Sequence, residues 1–191
     1  MNQERRDKLN FVLNNRQPDL AVVLENVNDP HNIFAVGRTC DAVGVQDIFI
    51  LNTKLPPNKK YGKGSSASAS KWITIHRFDN TDACFAAVKQ KYEKVLAAYL
   101  DKSANTIYET NFTQNLALVF GNEQWGITDE TLQHCDGKFI IPQVGMVPSL
   151  NISVACAVTL YEALRQRQLK GMYGTSRMDE TTYNQYLKDW K

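Results

Sequence analysis

Continuous apolar runs mark the strand-like parts of this sequence, and they lack the alternation of a half-exposed sheet. The runs LAVVLENV (20–27), VQDIFIL (45–51) and LALVFG (116–121) are rich in β-branched residues. Such runs are typical of strands that are buried on both faces of a parallel sheet. Shorter runs predict further strands within 72–78, 94–100 and 138–142.

Helical spacing separates these runs. Apolar residues at 33, 36, 40 and 43 recur at the period of an amphipathic helix, and Gly44 is a typical helix end. The second half of GMVPSLNISVACAVTLYEAL (145–164) is apolar nearly all the way round, so it predicts a helix that is covered on every side. Further helices are predicted at 2–15, 81–93, 128–135 and 179–190.

Strands that alternate with helices predict an α/β fold, with a mostly parallel sheet flanked by helices. Ligands of such sheets bind beyond the carboxyl ends of the strands. The stretch 52–71, rich in Pro, Lys, Gly and Ser, is predicted to be a surface loop. The places to look for function are therefore the loops that follow Val27, Leu51, Leu100, Phe120 and Ile141.

Length and composition narrow the class of protein. A chain of 191 residues with 43% hydrophobic residues supports one domain with a sizeable core. No apolar run reaches the roughly 18 residues of a membrane span, and the N-terminus lacks the apolar centre of a secretory signal. We therefore expect a cytoplasmic protein without a membrane partner. The four cysteines are scattered, so we expect neither a metal site nor a disulfide.

The net charge of +2 says little about partners, but cations cluster locally. Arg5, Arg6 and Lys8 crowd the start of the chain, and 54–71 carries five lysines and no acid. Between 165 and 177 there are three arginines and one lysine, again without an acid. Such patches fit a phosphate-binding surface, although an ordinary solvated surface explains them equally well.

Polar residues stand in two loops that follow apolar strands. In NVNDPHNIFAVGRTCDAVG, Asn32 or Asp29 is suited to start the helix. Arg38 points away from the apolar side of that helix, either into solvent or toward a carboxylate or phosphate. In LALVFGNEQWGI, Gly121 permits a close approach to the backbone, and Glu123 stands where a buried strand surfaces and needs a partner.

A third polar loop, FIIPQVGMVPSLNISVACA, leads into the apolar helix. Ser149 is suited to cap that helix. Asn151 lies inside the apolar stretch, where an unpaired amide costs about 1–3 kcal/mol. We therefore expect Asn151 to have a partner, which is either another loop or a ligand.

The common nucleotide-binding and hydrolase motifs are missing. The sequence has no G-x-G-x-x-G, no G-x-x-x-x-G-K-[ST] and no G-x-S-x-G. His31, His76 and His134 are far apart and suggest neither a metal site nor a catalytic triad. A dinucleotide-binding Rossmann enzyme is therefore disfavoured.

Together, the three loops resemble the motifs of the SpoU, or TrmH-like, branch of the SPOUT RNA methyltransferases, in order and spacing, over about 20–165. The flanking RQPDL, RQRQLKGMYG and YLKDWK further resemble the members that methylate the 2'-hydroxyl of guanosine 18 in the tRNA D-loop. The resemblance implies a homodimer that uses the long helix after Ser149. It also implies a deep trefoil knot at about 116–168, within a methyltransferase domain at 20–168 that has helical extensions at 1–19 and 169–191.

The resemblance also implies the cofactor and its contacts. The cofactor is S-adenosylmethionine, which backbone groups after the strands hold in a bent shape. Rigid, bare backbone suits a pocket that reads adenine through N–H and C=O groups. The matching positions are Ala98, Gly121, Asn122, Glu123, Gln124, Trp125, Ile141, Gly145 and Leu150.

Catalytic and RNA-binding residues follow from the same resemblance. Arg38 matches the arginine that the family assigns to the 2'-hydroxyl. Because a guanidinium does not readily release its proton, we expect Arg38 to stabilise the developing alkoxide and to grip the adjacent phosphate. Asn32 and Glu123 are expected to orient Arg38 or the ribose, and Ser149 and Asn151 to hold the loop and position the substrate. The expected phosphate contacts are Arg5, Arg6, Lys8, Arg165, Arg167 and Lys170, with Lys59, Lys60 and Lys63 as further candidates.

Three alternatives stay open. The target could be another RNA, either the wobble ribose of tRNA or ribosomal RNA. The protein could be a non-catalytic RNA-binding dimer, against which Arg38, Glu123 and Asn151 argue. It could also be a small-molecule α/β enzyme, which the missing nucleotide motifs disfavour.

Overall fold

A seven-stranded parallel sheet with helices on both faces forms the centre of the protein in a computed structural model that describes residues 2–54, 71–101 and 104–190. The strand order is β3-β2-β1-β6-β4-β7-β5, and every neighbouring pair is parallel. The predicted α/β class and parallel sheet are therefore confirmed. The strands are β1 (Gln17–Glu25), β2 (Val45–Leu51), β3 (Thr74–Phe78), β4 (Lys94–Ala98), β5 (Asn105–Thr106), β6 (Leu116–Phe120) and β7 (Gly137–Ile140).

The helices follow the predicted order with small shifts at their ends. The helix predicted at 81–93 ends at Lys89, and the one predicted at 128–135 is a single turn. The two-residue strand β5 was not predicted, because two polar residues carry no hydrophobic period. The helices are α1 (Gln3–Asn14), α2 (Pro30–Val43), α3 (Thr81–Lys89), α4 (Asp129–Leu132), α5 (Ile152–Leu169) and α6 (Glu180–Asp189).

Burial on both faces of the sheet explains the continuous apolar runs. Along β1, Leu20, Val22 and Leu24 pack in one core cluster with the buried sides of α2 and α5. The intervening Ala21 and Val23 pack in a second cluster with α3 on the opposite face. A strand that is covered on both faces needs apolar residues at every position, which removes the alternation.

The two chain termini pack together at one side of the sheet. Leu9 and Leu13 of α1 meet Trp190, which follows α6, and Trp190 lies edge-on to Trp72 at 5.4 Å between ring centroids. The fully buried guanidinium of Arg16 donates to Asp41 Oδ1 of α2 at 2.6 Å. The terminal helices are thereby fixed to the central sheet, while the division into a domain and two extensions stays a prediction.

The sequence also raised expectations about an RNA-binding loop, a membrane and a metal ion. Lys59, Lys60, Lys63 and most of the predicted 52–71 loop lie outside the described residues. Within the described residues, no helix is long and apolar enough to span a bilayer. The same residues include no group of three or more His, Cys, Asp or Glu side chains arranged to hold a metal ion.

Candidate active site at the carboxyl ends of the strands

Helix α2 begins in a way that frees Asn32 for other contacts. Asp29 is the N-cap, and its carboxylate accepts the backbone N–H of His31 at 2.9 Å, while Pro30 takes the first helical position. Proline suits this position because its missing N–H would have had no helical partner. Of the two caps that the sequence allowed, Asp29 is used, and Asn32 presents its amide from the first turn of α2.

Helix α5 is capped by Asn151, not by Ser149 as the sequence suggested. Asn151 Oδ1 accepts the Ser153 backbone N–H at 2.9 Å and the Ser153 hydroxyl at 2.6 Å. Asn151 therefore stands at the helix start and not inside the apolar stretch. Ser149 is exposed in the preceding loop.

Glu123 joins the three polar loops at one oxygen atom. Its Oε1 accepts the Asn151 amide at 2.7 Å, the Asn32 amide at 3.1 Å and the Ile152 backbone N–H at 3.3 Å. The Asn151 amide also donates to Asn32 Oδ1 at 3.1 Å. The carboxylate thus lies at the N-terminus of α5, where the helix dipole favours negative charge. The expected partner of Asn151 is therefore another loop.

The loop after β6 is held by its own glycines and by Asn122. A Cβ atom on Gly121 would lie 2.3 Å from the carbonyl carbon and oxygen of Gly126, so only glycine fits there. Backbone hydrogen bonds join Asn122 and Gly126 in both directions. Asn122 Oδ1 accepts the Gln124 backbone N–H at 2.7 Å, which fixes the turn that carries Glu123.

Two residues that the sequence analysis did not select anchor this loop to β1. Glu25 is fully buried, and its carboxylate accepts the Thr128 hydroxyl at 2.6 Å and backbone N–H at 3.0 Å. Asn26 accepts the Asn122 amide at its backbone oxygen at 2.7 Å. An acid at the end of a run that is otherwise buried on both faces was the available signal for Glu25.

A cavity of about 420 Å³ opens beside this polar cluster. Its volume falls in the range of about 300–1,000 Å³ that is common for small-molecule sites. The apolar residues Phe120, Phe139 and Ile152 form part of the wall, and Tyr99 and Gln143 line it as well. The cavity lies beyond the carboxyl ends of β4, β6 and β7, where ligands of parallel sheets bind.

Most of the predicted cofactor contacts lie around this cavity. The cavity walls include Ala98, Gly121, Asn122, Glu123, Ile141 and Leu150, together with Ser149. Gln124, Trp125 and Gly145 are exposed and are not among the described residues that line it. The binding roles of all nine residues stay predictions.

Arg38 lies on α2, six residues after Asn32, and its side chain is exposed. It forms no hydrogen bond or ion pair with the part of the chain that the structure describes. An exposed guanidinium without a protein partner keeps all five N–H donors available for a phosphate or a developing oxyanion.

The predicted RNA-binding residues divide into exposed and buried groups. Arg5, Arg6, Lys8 and Lys170 are exposed, so their RNA contacts stay predictions. The prediction that Arg167 contacts RNA is wrong, because its side chain is 0% exposed. The Arg167 guanidinium instead donates to Asp19 Oδ1 at 2.6 Å and to two backbone oxygens of the segment before β6.

Arg165 is the accessible neighbour on the same helix. Its side chain is 59% exposed, and it makes two hydrogen bonds of 2.8 Å to Glu162 one turn earlier. A phosphate contact at Arg165 would compete with this pair, so Arg165 is a weaker candidate than the exposed cations of α1.

The sequence profile of the SpoU rRNA methylase family matches residues 19–161. A tRNA (guanosine(18)-2'-O)-methyltransferase of Thermus thermophilus is 40% identical over 190 residues, which cover 98% of this chain and 96% of the relative. A fold, a cavity and three joined loops thus define a parallel α/β methyltransferase. The chain belongs to the SpoU methylase family.

Solved structures agree with this assignment. The A. aeolicus TrmH/SpoU tRNA modifying enzyme superposes with a TM-score of 0.86 at 36% identity, over 98% of this chain and 95% of that chain. The AdoMet-bound rRNA methyltransferase from Sinorhizobium meliloti superposes with a TM-score of 0.66 at 26% identity, over 79% of this chain and 57% of that chain.

Proposed function

We propose that this protein transfers a methyl group from S-adenosylmethionine to the ribose 2'-oxygen of guanosine 18 in tRNA. The observation that carries the proposal is that Asn32 and Asn151 are joined to Glu123, which lines the 420 Å³ cavity, with Arg38 exposed on the same helix as Asn32. The near full-length similarity to a tRNA (guanosine(18)-2'-O)-methyltransferase supports this substrate. A tRNA substrate implies a cytoplasmic enzyme.

The cavity fits the proposed cofactor. Apolar wall residues suit the adenosine rings, and the close packing of Gly121 against Gly126 fixes the backbone that lines the cavity. We assign the holding of the cofactor to the backbone after β4, β6 and β7, at Ala98, Gly121, Ile141 and Leu150. When bound, S-adenosylmethionine supplies an electrophilic methyl carbon on a good leaving group.

Arg38 acts on the nucleotide in this proposal. Its guanidinium stabilises the negative charge that develops on the 2'-oxygen and grips the adjacent phosphate, which assists removal of the proton. The absence of a partner among the described residues supports this role, because a guanidinium already committed to a carboxylate would not be free to bind.

Glu123, Asn32 and Asn151 act by alignment in this proposal. Displacement at a methyl carbon depends on the position of nucleophile, carbon and leaving group. Only Oε1 of Glu123 is engaged by the three donors, so Oε2 is available to the ribose within the described surroundings. Ser149, at the cavity wall, holds the 141–151 loop against the cofactor.

A homodimer through α5 is part of the proposal. Val154, Val158 and Tyr161 are exposed along one side of α5, at spacings of four and three residues. An apolar row of this kind on a helix calls for a covering partner. Sedimentation of the wild-type protein and of Val158→Glu tests this, with a shift to monomer expected for the variant.

A deep trefoil knot at about 116–168 is proposed on the same family grounds. The contacts between the loop after β6 and the start of α5, at Glu123 and Ile152, support the close approach that a knot requires. Tracing the backbone of an experimental structure tests it directly.

Mass spectrometry of nucleosides from tRNA methylated in vitro tests the activity. We expect 2'-O-methylguanosine, mapped to position 18. Methylation of the wobble ribose or of ribosomal RNA would replace the proposed substrate. Calorimetry that detects no S-adenosylmethionine binding would contradict the methyltransferase proposal as a whole and favour a non-catalytic RNA-binding protein.

A further inference from the structure

Trp125 is an exposed aromatic residue beside the active site that the cofactor cavity does not use. Its side chain is 49% exposed, although it follows the turn that carries Glu123. Two residues of chain span at most about 7 Å, so the Trp125 backbone lies within about 7 Å of Glu123, which joins Asn32 and Asn151. The described residues that line the cavity do not include it.

Lys54 accompanies this indole. The Lys54 ammonium lies over the ring, 5.5 Å from its centroid. A cation over an indole face is attracted by the ring quadrupole, but an exposed pair of this kind contributes little to stability. The contact therefore does not offset the exposure of a large apolar ring, which points to a role in binding and not in stability.

Asn26 joins the loop that carries Lys54 to the loop that carries Trp125. Its side-chain oxygen accepts the backbone N–H groups of Thr53 and Lys54 at 2.9 and 3.0 Å, and its backbone oxygen accepts the Asn122 amide at 2.7 Å. Asn26 adopts a left-handed conformation, with φ of 52°, to reach both loops. The Trp125 ring and the Lys54 ammonium are thus carried by loops that one residue joins.

We propose that Trp125 stacks on an unstacked base of the RNA substrate and that Lys54 contacts a phosphate beside it. The inference rests on the proposed function and specifies how the same site holds its nucleotide. Enzymes that act on folded RNA read single-stranded nucleotides by stacking the bases on aromatic side chains, and such stacking tolerates any base because every base has a π face. The stacked base belongs to the methylated nucleotide or to its immediate neighbour.

Separate measurements of cofactor and RNA binding test the role of the ring. Trp125→Ala is expected to lower tRNA affinity about 5- to 150-fold, whereas Trp125→Phe keeps most of the affinity. Both variants are expected to bind S-adenosylmethionine as the wild type does. Tyr108→Ala is the matched control, because Tyr108 is also exposed, at 67%, but follows β5 at the far edge of the sheet.

A fluorescent base analogue identifies the stacked nucleotide. 2-Aminopurine placed at the target position, or at either neighbour, is expected to be quenched on binding to the wild type at one of these positions only. Trp125→Leu is expected to abolish that quenching. An abasic nucleotide at the same position should remove the affinity difference between wild type and Trp125→Ala.

The salt dependence of tRNA affinity tests Lys54. Lys54→Gln is expected to reduce the slope of log K against log salt by about 0.7–0.9, the value for one phosphate. Lys89→Gln at the exposed end of α3 is the control, for which no change is expected.

The outcomes separate this inference from the proposed function. Normal tRNA methylation and affinity in Trp125→Ala overturn the stacking role and leave the methyltransferase proposal intact. An equal loss of S-adenosylmethionine affinity also overturns it, since the ring then serves the cofactor. A wild-type protein that binds S-adenosylmethionine but methylates no tRNA contradicts the proposed substrate instead.

Discussion

The two ends of helix α5 meet two different carboxylates. The 18-residue helix is about 27 Å long. At its start, Glu123 accepts neutral amides and a backbone N–H, and it is exposed beside a cavity. Near its end, Asp19 accepts the guanidinium groups of Arg167 and Arg177 at the amino end of β1. One helix thus joins an open cluster around Glu123 to a closed cluster formed by Asp19, Arg167 and Arg177.

The closed cluster uses nearly all of its hydrogen-bonding capacity internally. Asp19 Oδ1 accepts Arg167 and Arg177, and Oδ2 accepts Arg177 again at 2.8 Å. Burial raises the pKa of Asp19, but hydrogen bonds and charges from the two arginines outweigh burial and lower the pKa below its usual value. The buried Arg167 guanidinium and the Asp19 carboxylate are engaged with protein groups and leave little for a ligand.

The open cluster differs in the atoms that it leaves available. Glu123 Oε2 and the whole guanidinium of Arg38 are unengaged by the residues that the structure describes, and both side chains are exposed. This difference shows that a polar cluster indicates a functional site when some of its donors and acceptors are accessible and are not engaged by other protein groups. A count of charged residues alone does not separate the two ends.

The largest expected effect comes from breaking the closed cluster. Arg167→Leu leaves the carboxylate of Asp19 with one partner and removes the donors of three backbone oxygens, including those of Phe112 and Gln114. Loss of one partner from a buried pair lowers the free energy of unfolding by about 3–5 kcal/mol. Urea unfolding measures this.

Arg165→Leu is the matched control two residues earlier on α5. Its pair with Glu162 is exposed and screened by solvent, so its loss should lower the free energy of unfolding far less than Arg167→Leu does. Equal stability losses in the two variants would show that Arg167 is not specially anchored. A folded Arg167→Leu protein with weakened tRNA binding alone would restore the RNA-binding interpretation.

A substitution in the open cluster is expected to lower the rate of methylation without lowering the free energy of unfolding. Arg38→Ala should lower kcat for tRNA methylation about 10²- to 10³-fold, because it removes a donor to developing negative charge. S-adenosylmethionine affinity and the unfolding midpoint should stay within error of the wild type. Transfer of a radiolabelled methyl group measures the rate, with Arg38→Lys as the variant that keeps the charge but loses the planar fork.

Near wild-type methyl transfer by Arg38→Ala would refute the role of Arg38. Loss of activity together with loss of S-adenosylmethionine binding would place the effect on the cofactor site. The comparison between the two ends of α5 would then no longer separate catalysis from stability.

The same contrast explains what the sequence could predict. Strands and helices follow from local hydrophobic patterns, and three motifs in order indicated the loops that meet at Glu123. The choice of caps did not follow, because Asp29 and Asn32, or Ser149 and Asn151, satisfy the same rule. In the folded protein Asp29 caps α2 and leaves the Asn32 amide to reach Glu123, whereas Asn151 caps α5 with its side-chain oxygen and reaches Glu123 with its side-chain nitrogen. Local sequence does not distinguish these arrangements.

The sequence analysis also failed to predict which single charged residues are buried. Arg167 was grouped with its basic neighbours in sequence, yet it continues the buried side of α5 formed by Cys156, Leu160 and Ala163 at helical spacing. Glu25 likewise ends the part of β1 that is buried from Leu20 onward. A charge in phase with an apolar period signals an internal ion pair or anchor, and its partner lies too far away in sequence to be predicted locally.

Acid is expected to weaken a second closed cluster, centred on Asp47 of β2. Asp47 accepts His76 Nε2 at 2.9 Å, the Tyr92 hydroxyl at 2.8 Å and the Lys91 ammonium. Burial raises the pKa of Asp47, but these hydrogen bonds and the Lys91 charge outweigh burial and lower the pKa to about 2, from 3.8 in a model peptide.

Because the folded pKa of Asp47 lies below the unfolded pKa, its stabilisation is complete above about pH 4 and is lost as the pH falls toward 2. The loss amounts to about 2 kcal/mol. Urea unfolding of wild type and Asp47→Asn between pH 5 and pH 2 should show the difference between the two proteins shrink by this amount. A constant difference would mean that the Asp47 charge does not stabilise the fold.

The smallest expected effect concerns the exposed cations of α1, which neither cluster includes. Arg6 and Lys8 are exposed on the helix that packs against α6, so their removal should not change the free energy of unfolding measurably. If each contacts one phosphate of tRNA, Arg6→Gln and Lys8→Gln should each reduce the slope of log K against log salt by about 0.7–0.9. Arg165→Gln, which first releases Glu162, is expected to change the slope less. An unchanged slope in all three variants would assign α1 to the solvated surface and shift the search for the tRNA-binding face to the carboxyl edge of the sheet, around Arg38 and Lys54.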